Sequence, residues 1–534
     1  MKAAFPVAFV LLAWIAPSVR AEGVVGTGTP ESCTEGALAT ALTGGGIVTF
    51  DCGPAVAVIP FTTEHVLDSA TTLDGGDLVQ LDGQNTTRLF RVPDAAAPLT
   101  VTFRDITLQF GRCPSAGPGA NAGGAVWAGA NVRVEVLSGF LFGNRCGAAG
   151  AEIGGGAVYV RGGSVTLDQV DAASNGATDG GSIHAVDSTV LIDRSFFVAI
   201  PNGRRGGAVF ANGGSVALRR SAILASAATG GGAGIYATGP GTVTVEDSLI
   251  SGGNATGAAG GGVHQQGGTL SIQRATFDSN RADQGGAVHV TNVVLDVANT
   301  TFRANRALAG RGGAIRLASA NAGVIAHSTF AENRASAGAG AVSSDASSAS
   351  AAVQLRASIL EDNATASPAS PSCDGVLASG GFNFQSPGVA GDADCVAGIA
   401  RVPVQLGPLA LPNGGFLSVF PLLPTSPARD VVTSGCPPPA TDELGITRPF
   451  GPACDSGAVE FAPVITIDDV VVTEGTGGTT PATFTIRLSQ PSPDTVIVSS
   501  ATMDGTAVAG EDYDSGGGPV VFLPGETQAT VTVM

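Results

Sequence analysis

The chain has 534 residues and a formal net charge of −18, from 26 basic and 44 acidic residues, which argues against nucleic acid as a partner because phosphate binding needs a basic face. Only 13% of residues are charged and 78 are glycine, yet 44% are hydrophobic and β-branched residues alternate with small ones; that excludes a disordered chain and points to a repetitive β protein.

The first 21 residues read as a secretory signal. Lys2 supplies the positive start, Ala3 to Ile15 is mostly apolar, and Val19-Arg20-Ala21 fits a small-residue cleavage site. No later stretch is long and apolar enough for a transmembrane helix. In an exported chain eight cysteines read as disulfides. Their spacing pairs near neighbours: Cys33 with Cys52, Cys113 with Cys146, Cys373 with Cys395, and Cys436 with Cys454. Cys113 and Cys146 fall at nearly the same place in adjacent repeats. No CxxC motif and no nearby histidine pair supports a zinc site.

Residues 22–44 form a capping segment. Ser32 to Leu42 predicts a short helix, with Ser32 and Glu35 in a capping-box pattern and Gly44 as its stop.

From 45 to 365 the sequence repeats. A phrase such as "TFRANRALAGRGGAI" closes on Val126, Val158, Ile183, Val209, Ile235, Val263, Val288, Ile315 and Val342. A phosphate-binding loop occurs once and needs a lysine; the last lysine is Lys2. Each repeat holds two alternating strands and room for a third. In "GTLSIQRATF" the expected core residues are Leu270, Ile272 and Phe277. Stacked repeats of this length predict a solenoid of parallel strands without crossover helices. Asn144, Asn175, Asn254, Asn280, Asn305, Asn333 and Asn363 end the second strand; Asn tolerates the left-handed conformation that a tight corner requires.

The residue after each closing Val or Ile forms an outward column: Trp127, Tyr159, His184, Phe210, Tyr236, His264, His289 and Arg316, then Ser343. It reads either as a ladder that stabilises a sheet face or as an exposed platform on which sugar rings stack. Arg219, Arg220, Arg274 and Arg303 read as scattered, and Asp168, Asp193 and Glu246 as carboxylates that do not recur on adjacent rungs. Without a focused acid–base cluster, catalysis is the weaker expectation.

The repeats resemble right-handed parallel β-helix proteins of the pectate-lyase-like architecture. "CTEGALATAL" with "VTFDC", and later "LGPLALPNGG", "SPARD" and "TDELGITRPFGPACDSGAVEF", resemble bacterial surface β-helix proteins with a choice-of-anchor region, here 366–463. From 464 to 534, "ITIDDVVVTEGTGG", "ATFTIRLSQP", "DGTAVAGEDYD" and "VVFLPGETQATVTV" resemble part of a Calx-beta domain, an antiparallel Ig-like sandwich. The resemblance implies calcium as cofactor, with Glu474 and Asp512 as ligands and further acidic ligands beyond Met534. The expected fold class is therefore all-β: a right-handed parallel β-helix followed by a partial sandwich. The expected function is an exported, surface-associated adhesin that binds polysaccharide or a host or cell-surface glycan. A polysaccharide lyase or hydrolase is the alternative, and a non-binding stalk the third reading.

Overall fold

The computed structural model describes residues 21–147, 154–198, 203–319, 321–346, 353–363, 371–387, 392–411, 415–463, 465–473, 477–489, 491–492 and 495–534. The expected leader, apart from Ala21, lies outside the described residues.

One long parallel ladder makes up most of the chain. It starts at Ala21–Val25, which pairs with Gly46–Phe50, and ends at Ala400–Arg401, so it extends past both ends of the 45–365 span expected from the repeats. Each rung runs through the same elements. A short first strand such as Val288–Thr291 builds the first wall. A long second strand such as Val294–Arg303 turns a corner at Asn299, which sits at φ 48°. The half before the corner lies in the second wall and the half after it in the third. A short third strand, such as Arg306–Ala307, completes the rung and forms a separate parallel sheet with Asn254–Ala259, Arg281–Gln284 and Arg334–Ala335.

Interior side chains stack rung on rung. Phe277, Phe302 and Phe330 are fully buried, with centroids 5.2 and 4.8 Å apart. Removing each such side chain from water stabilises the coil by about 2–3 kcal/mol. Leu270 and Ile272 lie in this interior as expected.

The asparagines work differently from the expectation. The residue before each takes the left-handed conformation: Ser174, Ser279, Ala304, Glu332 and Asp362 all have positive φ. The asparagine itself is buried and its amide links rungs. Asn144 donates to Asn175 (3.1 Å), and Asn280, Asn305, Asn333 and Asn363 form a continuous run at 2.9–3.0 Å. Asn254 is outside this ladder. Gly253 takes its place, and Asn254 is exposed.

At the N-terminal end a helix, Glu35–Ala41, covers the first rungs and buries Leu38. Its N-cap is Thr34, whose hydroxyl accepts from the Ala37 amide, rather than Ser32. Glu35 does not reach back to a cap; it accepts from the amides of Thr62 and Thr63. The disulfides are Cys33–Cys52, Cys113–Cys146, Cys373–Cys395 and Cys436–Cys454, with Cα separations of 5.0–6.3 Å. Cys113–Cys146 ties neighbouring rungs beside the paired Arg112 and Arg145.

Beyond the last rung the chain turns back. Residues 415–461 lie as a strap along the third wall, and their polar contacts reach from Thr276 to Phe382.

Candidate functional site

The outward column forms one register line on the first wall, from Trp127 through Tyr159, His184, Phe210, Tyr236, His264, His289 and Arg316 to Ser343. Neighbouring rings from Trp127 to His289 sit 4.6–6.3 Å apart. It is not an exposed platform. His184, Phe210, Tyr236, His264, His289 and Arg316 are buried, and Trp127 and Tyr159 are half-buried.

The loops that precede each first strand form a roof over it. A Cβ on Gly154 would overlap the His184 ring, so only glycine lets that loop lie so close. The Arg205 guanidinium lies 4.4 Å from the Phe210 centroid, and Asp179, fully buried, holds Arg204 and Arg205 at 2.7 Å each. Alternation along the strand points these side chains away from the lumen, but strand periodicity says nothing of a roof. Burial pushes His184 and His264 down to a pKa of about 4 and His289 to about 3, so the ladder is neutral at ordinary pH. At its far end Arg316 pairs with Asp345 at 2.6 Å.

The third wall carries the exposed rings. One register row crosses it: Gln80, Thr107, Phe140, Asp171, Phe196, Ala222, Leu249, Thr276, Thr301, Thr329 and Ile359. The strap covers the later part. Glu443 accepts from the hydroxyls of Thr276 (2.9 Å) and Thr301 (2.6 Å), the Ala458 amide donates to Thr329 (3.0 Å), and Gly457 packs on Ile359. The earlier part is open. Phe140 is 53% exposed and Phe196 39%, whereas Ala222, one rung past Phe196, is 1% exposed. Phe416 of the strap meets the Phe196 ring edge-on at 6.2 Å and marks where cover ends.

On the open half, a groove of about 470 Å³ is lined by Asp77, Gln80, Asp105, Ile106, Thr107, Gln109, Ser138, Phe140 and Phe142. The rings offer apolar faces and the amides, hydroxyls and carboxylates offer hydrogen-bonding groups, the combination that holds a pyranose. Burial, then the nearby Asp77 and Asp74 charges, raise the Asp105 carboxyl above its ordinary range.

The strap itself is pinned by buried charge. Arg448 is fully buried and pairs with Glu460, also fully buried. Asp442 accepts from the amides of Leu444, Ile446 and Glu460. Asp455 accepts from Asp430 and Phe461, and burial with the neighbouring Glu460 charge raises it to about 7. Burial also raises Glu443 and Asp442. These residues fall in the phrase "TDELGITRPFGPACDSGAVEF", whose acidic and basic groups serve docking.

The carboxylates taken as isolated are rung neighbours. Asp168 and Asp193 are in direct register, and each is bridged from the next rung, by Arg194 and Arg220 respectively. Arg274 bridges Glu246 and Asp247, Arg303 bridges Asp278 and Glu332, and Arg219 lies 3.6 Å from Glu246. Repeats of unequal length hid this register.

The family model for the right handed beta helix region matches residues 200–384, and that for the Calx-beta domain matches residues 463–534. The chain carries a right-handed β-helix region and a Calx-beta domain. Among solved structures it is similar to PfbA, described as a surface adhesin of Streptococcus pneumoniae, at 12% identity and a TM-score of 0.40, over 75% of this chain and 99% of that chain. No curated protein matches it.

The Calx-beta domain consists of two antiparallel sheets around Ile486, Leu488 and Phe522. Asp512 is exposed and one of its oxygens accepts from the Val508 amide at 2.9 Å. Glu474 lies outside the described residues. Among the described residues no three carboxylate, histidine or cysteine groups gather as metal ligands, so those present do not by themselves form a calcium site.

No described helix is long and apolar enough to cross a membrane. Sequence reading passed over Phe140, Phe142 and Phe196 because they look like ordinary strand aromatics; one signal was available, since Phe140 and Phe142 flank Leu141 and Phe196 precedes Phe197, and the structure buries Leu141 and Phe197.

Proposed function

We propose that this is an exported, surface-associated adhesive β-helix, and that the open half of its third wall holds a polysaccharide. One observation carries the reading: a single sheet face is sealed by the strap over its later rungs and left open, with Phe140, Phe142 and Phe196 exposed, over its earlier ones. Large rings left in water on an otherwise covered face mark a binding surface. Asp77, Asp105 and Asp171 border these rings, so the face favours uncharged sugars whose hydroxyls donate to carboxylates. Export is supported by the leader-like first 21 residues and by the disulfides. The test is a glycan array probed with the full chain: retention on neutral glycans is expected, and no retention on any glycan would leave the stalk reading.

A hydrolase is the second reading, favoured by the raised Asp105 carboxyl beside Asp77 in the same groove. Release of shortened oligosaccharides from a retained glycan, lost in Asp105→Asn, would establish it over adhesion.

The Calx-beta domain is of a calcium-binding type. With Asp512 partly engaged, we infer a weak site in which Glu474 joins it and water fills most of the shell. Calorimetry should give a Kd in the roughly millimolar range, weakened in Asp512→Asn. Absence of any saturable heat would remove calcium from the account.

A further inference from the structure

Three successive third-wall strands end in "SNRA", "ANRA" and "ENRA", whose arginines are Arg281, Arg306 and Arg334. The asparagine is buried in the amide ladder and the alanine after the arginine is buried in the short third-strand sheet: Ala282, Ala307 and Ala335 are at most 2% exposed. Alternation therefore turns each arginine outward. The three are direct register partners, Arg281 with Arg306 and Arg306 with Arg334, so their Cα atoms step along the solenoid at about 4.8 Å. Arg281 and Arg306 are exposed, and among the described residues neither guanidinium has a hydrogen bond or a carboxylate partner. Arg334 meets only the exposed Asp362, donating to its carbonyl at 3.2 Å and lying 3.4 Å from its carboxylate.

This is unlike the other rung-bridging arginines of the β-helix. Arg194, Arg220, Arg274 and Arg303 each sit on a carboxylate of a neighbouring rung. The acids bordering the row are also engaged. Asp278 holds Arg303 at 3.1 Å, Glu332 holds Arg303 at 3.2 Å, and Asp283 accepts from the Gly257 amide. Like charges directly opposite one another on a sheet are destabilising. Here three stand in line, in a chain whose net charge is −18.

We propose that this arginine row is a binding site for a linear acidic polysaccharide, whose carboxylate or sulfate groups take the guanidinium forks bidentately. The row is one residue wide. A single polymer strand fits it, whereas a nucleic acid duplex would overlap the acidic residues on both sides. A second pair, Arg112 and Arg145, occupies the same position on earlier rungs and lines a groove of about 450 Å³ with Arg204, so a longer chain can run along the same side of the solenoid. The row lies around the asparagine corner from the third wall and is independent of the neutral-sugar site there.

The test is affinity of the full chain for size-defined heparin and oligogalacturonate fragments, measured over a range of salt. Binding is expected to weaken with salt. Arg281→Gln with Arg306→Gln should lower affinity about tenfold per lost guanidinium and reduce the salt slope by about two. Arg194→Gln, which removes a paired arginine several rungs from the row, should change affinity by less than about twofold. Phe140→Ala should leave it unchanged, which separates this site from the third wall. The proposal is overturned if wild-type chain binds neither fragment, if the folded double variant binds as well as wild type, or if duplex DNA of equal charge binds more tightly than the oligosaccharides.

Discussion

The side-chain amide of Asn305 donates to Oδ1 of Asn333, one rung on, at 2.9 Å, and to the Phe277 carbonyl, one rung back, at 2.9 Å. Its own Oδ1 accepts two bonds from Asn280 at 3.0 Å. No polar atom of this fully buried side chain is left without a partner. Asn305→Ala leaves the neighbouring amides unsatisfied, and the expected cost is about 2–3 kcal/mol, read as a lower urea midpoint at unchanged slope. Asn254→Ala, at the exposed asparagine, should stay within about 0.5 kcal/mol. Equal effects of the two would show that the ladder adds nothing.

The strap and the ring ladder should respond to acid in opposite directions. Asp455 is raised from 3.8 to about 7 by burial and by Glu460, so its contribution to docking is complete below about pH 4 and fades as pH rises to about 7. Amide hydrogen exchange over 441–461, corrected for intrinsic rates, should be slower at pH 5 than at pH 8. Glu443→Gln mimics the neutral acid between the Thr276 and Thr301 hydroxyls and should be tolerated. Arg448→Met strands Glu460 without its partner and should free the strap, at a cost of about 3–5 kcal/mol. Slower exchange at pH 8 than at pH 5 would contradict this assignment.

The histidines carry the reverse sign. Burial lowers His184 and His264 from 6.5 to about 4 and His289 to about 3. The unfolded chain therefore takes up protons that the folded ladder refuses, so the stability they provide is present above pH 6.5 and lost as pH falls towards 3. First-wall amides around His184 to His289 should exchange faster at pH 4.5 than at pH 6.5. His264→Phe, which keeps a ring in the stack without a titrating group, should blunt that change. A pH-independent first wall would mean that these imidazoles are hydrated and free to charge.

Much of the fold was legible because a solenoid writes its period into the sequence. The lumen residues Leu270 and Ile272 follow from strand alternation, Phe277 joins them because the corner at Arg274 (φ 49°) shifts the phase, and the Cys113–Cys146 pair follows from rung spacing. What was hidden depends on how segments distant in sequence lie on one another. Trp127 to Arg316 do point away from the lumen, but the loops that roof them, including Gly154 and Arg205, lie on glycine-rich stretches whose repetition marks the period and not the fold-back over the first wall. Phe140 and Phe196 are open, and Thr301 sealed, only because residues 415–461 stop covering the wall near Phe416. Nothing in a local window marks that end. The asparagines other than Asn254 do stand at corners, but for a different reason: a buried amide chain and a left-handed residue occupy adjacent positions, and the sequence shows only that both occur nearby.

The most direct test of the account is affinity for a neutral oligosaccharide retained on the array, compared between the wild-type chain and Phe140→Ala with Phe196→Ala. Both rings are exposed, so the variant should keep the wild-type fold and a stability within about 0.5 kcal/mol of wild type. Each lost stacking contact should cost on the order of 1 kcal/mol, which predicts a Kd raised about thirtyfold for the pair. A Kd unchanged in the folded double variant, with glycan still bound, would contradict the assignment of the open third wall as the binding surface.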